Sequence, residues 1–240
     1  MRIKGLILSA IFIATLPVAA RAEDRDFFAG VDVLGGVATG SSSTKDGGGV
    51  LPSFNGDGVV ENVRFGGLVG IGAHIGYRFK PSWSAIVSYQ HVRGNVSWDA
   101  RFATYGGRSG FDGTASSDVI MASIAYARPL SEATSVSVKA GLGVTFNRLS
   151  DLVETDRGTG LFVSDVAGHT KAGPTAQIGL GIQHRLSPSA TIGLDAGLAY
   201  AGGFETGNTR SGNLGVTSIN PYKIDDVWRG TLGVSLKVAF

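Results

Sequence analysis

The eleven-residue stretch VSVKAGLGVTF, Val136 to Phe146, carries an apolar side chain at every second position. Val136, Val138, Ala140, Leu142, Val144 and Phe146 share one face; Ser137, Lys139, Gly141, Gly143 and Thr145 share the other. Strand side chains alternate between two faces, so this period predicts a β-strand with one apolar and one polar or small side. The pattern recurs in RFGGLVGIGAHIGYRF, where Phe65, Val69, Ile71, Ala73, Ile75, Tyr77 and Phe79 oppose Arg64, Gly70, Gly72, His74 and Arg78. It returns in TAQIGLGIQHRL and ATIGLDAGLAY, with weaker copies at 27–39, 83–96 and 118–128 and a final one at 227–240. These are eight strands, and the fold class expected is all-β.

The connections between them alternate in kind. Three are short and contain proline, after Lys80, Arg128 and Leu186; four are long, polar and glycine-rich, at 40–63, 97–117, 148–172 and 202–225. Short turns at one end and long loops at the other describe an antiparallel up-and-down barrel of the kind that spans a membrane. The aromatics sort the same way. Phe27, Tyr77, Phe79, Trp83, Tyr126 and Phe240 fall at the turn end, while Phe65, Trp98, Phe146, Tyr200 and Trp228 fall at the loop end. The steps from Trp228 to Phe240 give roughly 30 Å of height at a tilt near 40°, enough for an apolar band of about 25 Å. A soluble sandwich has no reason to sort its aromatics into two belts.

The N-terminus reads differently. Arg2 and Lys4 precede an apolar run from Leu6 to about Ala20, which closes on the A-x-A pattern Ala20-Arg21-Ala22. This is the form of a secretory signal peptide, residues 1–22, leaving 23–240 as the barrel. About 15 apolar residues are too few for a spanning helix. Taking Arg2, Lys4 and Arg21 from the 21 basic residues leaves 18 against 19 acidic ones, so the basic balance is a targeting feature. It offers no argument for nucleic-acid binding. With no cysteine in the chain, disulfide scaffolds and thiol catalysis are excluded.

Together the signal peptide, eight alternating strands, four long loops and the ending LGVSLKVAF resemble the small outer-membrane barrels of the OmpA-like and opacity-porin type. The resemblance implies residence in a bacterial outer membrane among lipid and lipopolysaccharide. It also implies that Leu232, Val234, Leu236, Val238 and Phe240 form the C-terminal signal read by the barrel-insertion machinery. The barrel is expected to be a monomer without the periplasmic peptidoglycan-binding domain that relatives often carry.

No catalytic, cofactor or metal site is expected. Gly70 to Gly76 puts Ile75 where a G-x-G-x-x-G motif needs glycine, and the inward glycines read instead as room for large inward neighbours. Phe54 to Gly58 lacks the remaining ligands of a calcium loop, and the four histidines show no zinc spacing. The inward charges are Asp32, Arg64, Arg78, Lys139, Arg185, Asp195, Arg229 and Lys237. Eight strands enclose about enough space for their own side chains, so these charges are expected to pair into a plug, with Lys237 shared between Asp32 and Asp195. The function expected is structural, with surface interactions through the loops; cations, surface polysaccharide, phage and another cell remain open as the partner. The alternative is a small porin-like channel for ions or solutes, and a distant third is an enzyme that modifies membrane lipid.

Overall fold

The computed structural model describes residues 26–44, 58–102, 106–213 and 215–240. The expected signal peptide and most of the Phe54–Gly58 stretch lie outside them. Thirteen strands are described: β1 Phe27–Ser41, β2 Val59–Phe65, β3 Leu68–Lys80, β4 Trp83–Phe102, β5 Gly107–Pro129, β6 Thr134–Asp156 and β7 Phe162–Val166. They are followed by β8 His169–Arg185, β9 Ala190–Tyr200, β10 Phe204–Glu205, β11 Thr209–Gly212, β12 Gly215–Ser218 and β13 Lys223–Ala239.

Eight of these close a ring. β1 pairs antiparallel with β3, then β3 with β4, β4 with β5, β5 with β6, β6 with β8, β8 with β9, and β9 with β13. β13 returns to β1 with Phe28 opposite Ala239 and Val31 opposite Leu236. Every main-chain edge in the ring is therefore paired, as a bilayer requires. The last residue takes part: the Phe240 amide donates to the Phe27 carbonyl at 2.9 Å, and the two rings stack with centroids 6.5 Å apart.

Period 2 decides which way the side chains point. Leu142 is 72% exposed and Leu232 63%, whereas inward Thr145 and Ser235 are 0% and 1% exposed. Apolar groups outside and polar groups inside invert a soluble protein, and the outward belt is what a bilayer would cover. The inward glycines open space for rings on the neighbouring strand. A Cβ on Gly76 would lie 2.1 Å from the Phe28 ring, and one on Gly30 would lie 2.5 Å from His74 Nε2. Each of these glycines sits directly across from the ring it accommodates.

Two of the three short turns close by the same local bonds. Leu130 and Leu186 each donate a main-chain N–H to the residue four on, and Ser131 Oγ and Ser187 Oγ accept main-chain N–H groups within their turns. The long connections differ from polar loops in being largely β-structured. β4, β5 and β6 run 20, 23 and 23 residues, well beyond the bilayer band; β2 pairs with β4, β7 with β6, β11 with β7 and β12 with β11, while β10 pairs with the start of β13. Alternation continues along them, with Val96, Trp98, Ala100 and Phe102 all buried inward.

Candidate functional site

The lumen is layered. At the turn end a mouth of about 330 Å³ is lined by Phe28, Arg78, Glu132, Arg185 and Lys237 among others. There Arg185 donates to the Glu132 main-chain carbonyl, and Arg78 is exposed. Above it Asp32, Lys139, Asp195 and Lys237 line a cavity of about 70 Å³. His74 Nδ1 meets Asp32 Oδ2 at 3.0 Å, and Ser235 donates to Asp195 Oδ2 at 2.9 Å. With Asp32 ionised, Nδ1 carries the imidazole proton, and the buried Nε2 has no partner among the described residues. A shared Lys237 bridge is not what holds the carboxylates. Asp32 takes His74 and Asp195 takes Ser235, because the cross-strand register sets Asp32 diagonal to His74, and Asp195 diagonal to Ser235. Lys237 lines the same cavity without a contact ion pair to either.

Next comes an apolar layer of Leu34, Leu68 and Val92. Arg229, 4% exposed, stands above it. Higher still, Asn147 of β6 ties β5 to the connection after β9: its Oδ1 accepts from Ser117 and Thr145 at 2.6 and 2.8 Å, and its Nδ2 donates to the carbonyls of Ala201 and Gly203.

The extension is closed by a second core. Trp98 and Phe111 stack with centroids 5.2 Å apart at 5°, and Tyr222 meets them at 6.2 and 4.8 Å. Leu149, Leu152, Ile219 and Ile224, each no more than 2% exposed, fill the space around these rings. Ion pairs clamp the outside: Glu61 with Arg101 and Arg108, and Asp99 with Arg157. Burial would raise the Asp99 carboxyl, but hydrogen bonds from Asn62 and Arg157 and the charges of Arg157 and Arg108 outweigh it and hold it below the usual carboxylate range. Asp156 is likewise held low, by the Thr159 hydroxyl and main-chain N–H and the Gly158 N–H. Glu154, 2% exposed, accepts from Ser164 at 2.7 Å and pairs with Arg210 at 3.4 Å.

Two girdles are present, with corrections. At the turn end Phe27 packs on Tyr77 at 4.8 Å and Trp83 on Tyr126 at 5.1 Å; Phe79 is exposed beside them. At the other end Tyr200 meets Trp228 at 5.5 Å, and Phe146 is exposed. Phe65 does not belong there: it points inward, 6.0 Å from Phe204. Arg64 correspondingly leaves the lumen, opposite Ser97 and exposed. The cause is the Gly66-Gly67 joint between β2 and β3, which slips the phase by one residue so that an unbroken parity count fails. Trp98 is also inside, as part of the seal. On the outer wall the structure brings together a group that parity left unremarked: Tyr89 and His91 both bond Asp118 Oδ1, at 2.6 and 2.8 Å. The signal for it was present, since all three fall on the apolar faces of their strands.

A concavity of about 1030 Å³ is lined by outward residues such as Tyr77, Val87, Leu142 and Trp228 and so belongs to the bilayer-covered surface. No group of three metal-ligating side chains occurs among the described residues.

The family model for the outer membrane protein β-barrel domain matches residues 7–240. No curated protein matches. Among solved structures, the chain is similar to Neisserial surface protein A at 14% identity, covering 89% of this chain and 97% of that one, with a TM-score of 0.48. It is similar to OprG from Pseudomonas aeruginosa at 16% identity, with 88% and 95% covered and a TM-score of 0.45. The outer membrane protease OmpT from Escherichia coli is similar at 8% identity, with 92% and 100% covered and a TM-score of 0.48.

Proposed function

The chain belongs to the outer membrane protein β-barrel domain family, and from that premise we propose that it serves as a sealed, non-catalytic barrel holding a rigid β-structured surface outside the cell. The observation that carries this is the apolar seal of Trp98, Phe111 and Tyr222, which stands across the route any solute would take above the polar lumen. Desolvating an ion through such a layer is costly, so the closed state is the resting one. A scaffold built this way spends its extended strands on presentation. The partner at that surface is a cell-surface or environmental molecule met by the hairpin tips, where Leu161 and Val216 are 67% and 77% exposed. Residues 1–22 act as the export signal, the terminal strand is read by the insertion machinery, and the monomer sits among lipid and lipopolysaccharide. Planar-bilayer recording of the purified full-length protein tests the reading. No steady conductance is expected; stable anion-selective openings, drawn by the basic mouth of Arg78, Arg185 and Lys237, would replace the scaffold with a channel.

A further inference from the structure

We propose that Arg229 holds a small monatomic anion, a halide and in a cellular setting chloride, inside the barrel between the polar lumen and the apolar seal. Arg229 is 96% shielded, yet no ion pair and no hydrogen bond joins it to any described residue. Its inward direction is set by parity: Trp228 and Gly230 on either side face out, and Arg229 lies level with the inward Ala38 of β1 and Ala199 of β9. Neither alanine offers a polar atom beyond the main chain. A buried guanidinium without a counter-charge is among the least tolerated arrangements in a folded protein.

The carboxylates of the lumen do not reach it. Asp195 sits opposite Gly233, four residues down β13 and roughly 13 Å along the strand. Asp32, opposite Ser235, is farther. Toward the outside, Glu205 is engaged with Lys171 and Glu154 with Arg210. Ser117, which lines the same cavity, gives its proton to Asn147, whose oxygen already accepts two hydrogen bonds.

Beside the guanidinium lies a cavity of about 20 Å³, walled by Ala38, Phe65, Leu68, Val92 and Phe204 among others. That is room for one particle of water or halide size and for nothing larger. A water would satisfy an N–H while leaving the charge uncompensated. A halide meets both needs, with the planar donor fork on one side and polarisable ring and methyl contacts on the other.

Full-length protein in detergent micelles, melted while tryptophan fluorescence is followed, tests the site. At fixed ionic strength, replacing gluconate by chloride should raise the wild-type melting temperature, the rise growing with the logarithm of chloride concentration. Arg229→Lys should keep that dependence and Arg229→Met should lose it. Crystals soaked in bromide should show an anomalous peak within hydrogen-bond distance of the Arg229 guanidinium, a readout that stands even where a variant fails to fold. Equal melting in both salts, a chloride effect that survives Arg229→Met, or a bromide-free cavity holding water alone would each overturn the proposal.

Discussion

Truncating Phe111 to alanine isolates the strength of the outer seal. The side chain is 0% exposed and contacts two rings, Trp98 at 5.2 Å and Tyr222 at 4.8 Å. Removing a fully buried phenylalanine costs about 3–5 kcal/mol. The two ring contacts, each worth about 0.5–1.5 kcal/mol, place this site toward the upper end. The loss should not spread evenly. The extension stands outside the apolar belt, and its own hydrogen bonds can open while the membrane ring stays closed. At 1.4 kcal/mol per factor of ten, a cost of about 4 kcal/mol raises the local opening constant by roughly a thousandfold. Amide hydrogen exchange on the protein in micelles reads this directly. Exchange at Trp98, Leu149 and Leu152 should accelerate by at least about a hundredfold, while Leu142 and Leu194 change by less than about tenfold. A uniform acceleration would mean that extension and ring unfold as one unit. A change below about fivefold at Trp98 would mean that the ring stack contributes little, and the reasoning about the seal would fail.

Two further outcomes follow from the same layering. Leu142→Arg places a cation on the bilayer-covered face and should cost up to about 2–4 kcal/mol if the position lies near the midplane, measured by urea unfolding in lipid vesicles; spin labels walked from 138 to 145 should alternate between lipid and polar accessibility. Asp99 and Asp156 have depressed carboxyl pKa values in the folded state. Their contribution is complete above the ordinary carboxylate pKa and disappears as pH falls through the lower folded values. Proteolysis of the extension should therefore rise only in acid, and Asp99→Asn should be sensitive to protease already at neutral pH; a wild type that loosens on raising the pH would contradict the sign.

The parts of this fold legible in the sequence are those on which the bilayer imposes a rule. Lipid on one side leaves no freedom at Leu142, Leu194 or Val234, so the alternation there is clean and eight ring strands can be counted. Outside the bilayer that rule lapses. The faces of β4, β5 and β6 beyond the belt are polar or glycine-bearing on the water side, and the apolar inner row from Val96 to Phe102 is diluted by Ser97, Asp99 and Arg101 into something resembling a loop. Parity also holds only along an unbroken strand, which is why Phe65 and Arg64 exchange sides across Gly66-Gly67. Inside, parity tells which residues face the lumen but not which of them meet. That depends on the stagger between strands, and the stagger gave Asp32 to His74, gave Asp195 to Ser235 and left Arg229 without an ion pair among the described residues.

The junction of β1 with β13 has a kinetic meaning. Every other contact in the ring forms between strands close in sequence, but this one joins Phe27 to Phe240. Bringing the two ends together carries the largest loop-closure entropy in the molecule, and no shorter piece of the chain can make the same bond. The cylinder therefore cannot be completed until β13 is available to pair with β1. Until Phe240 arrives, the sheet is an open ribbon with two bare edges, able to pair with another ribbon as readily as with itself. The waiting state is the one with bare edges, and the engagement of Phe240 with Phe27 acts as the latch that ends that exposure.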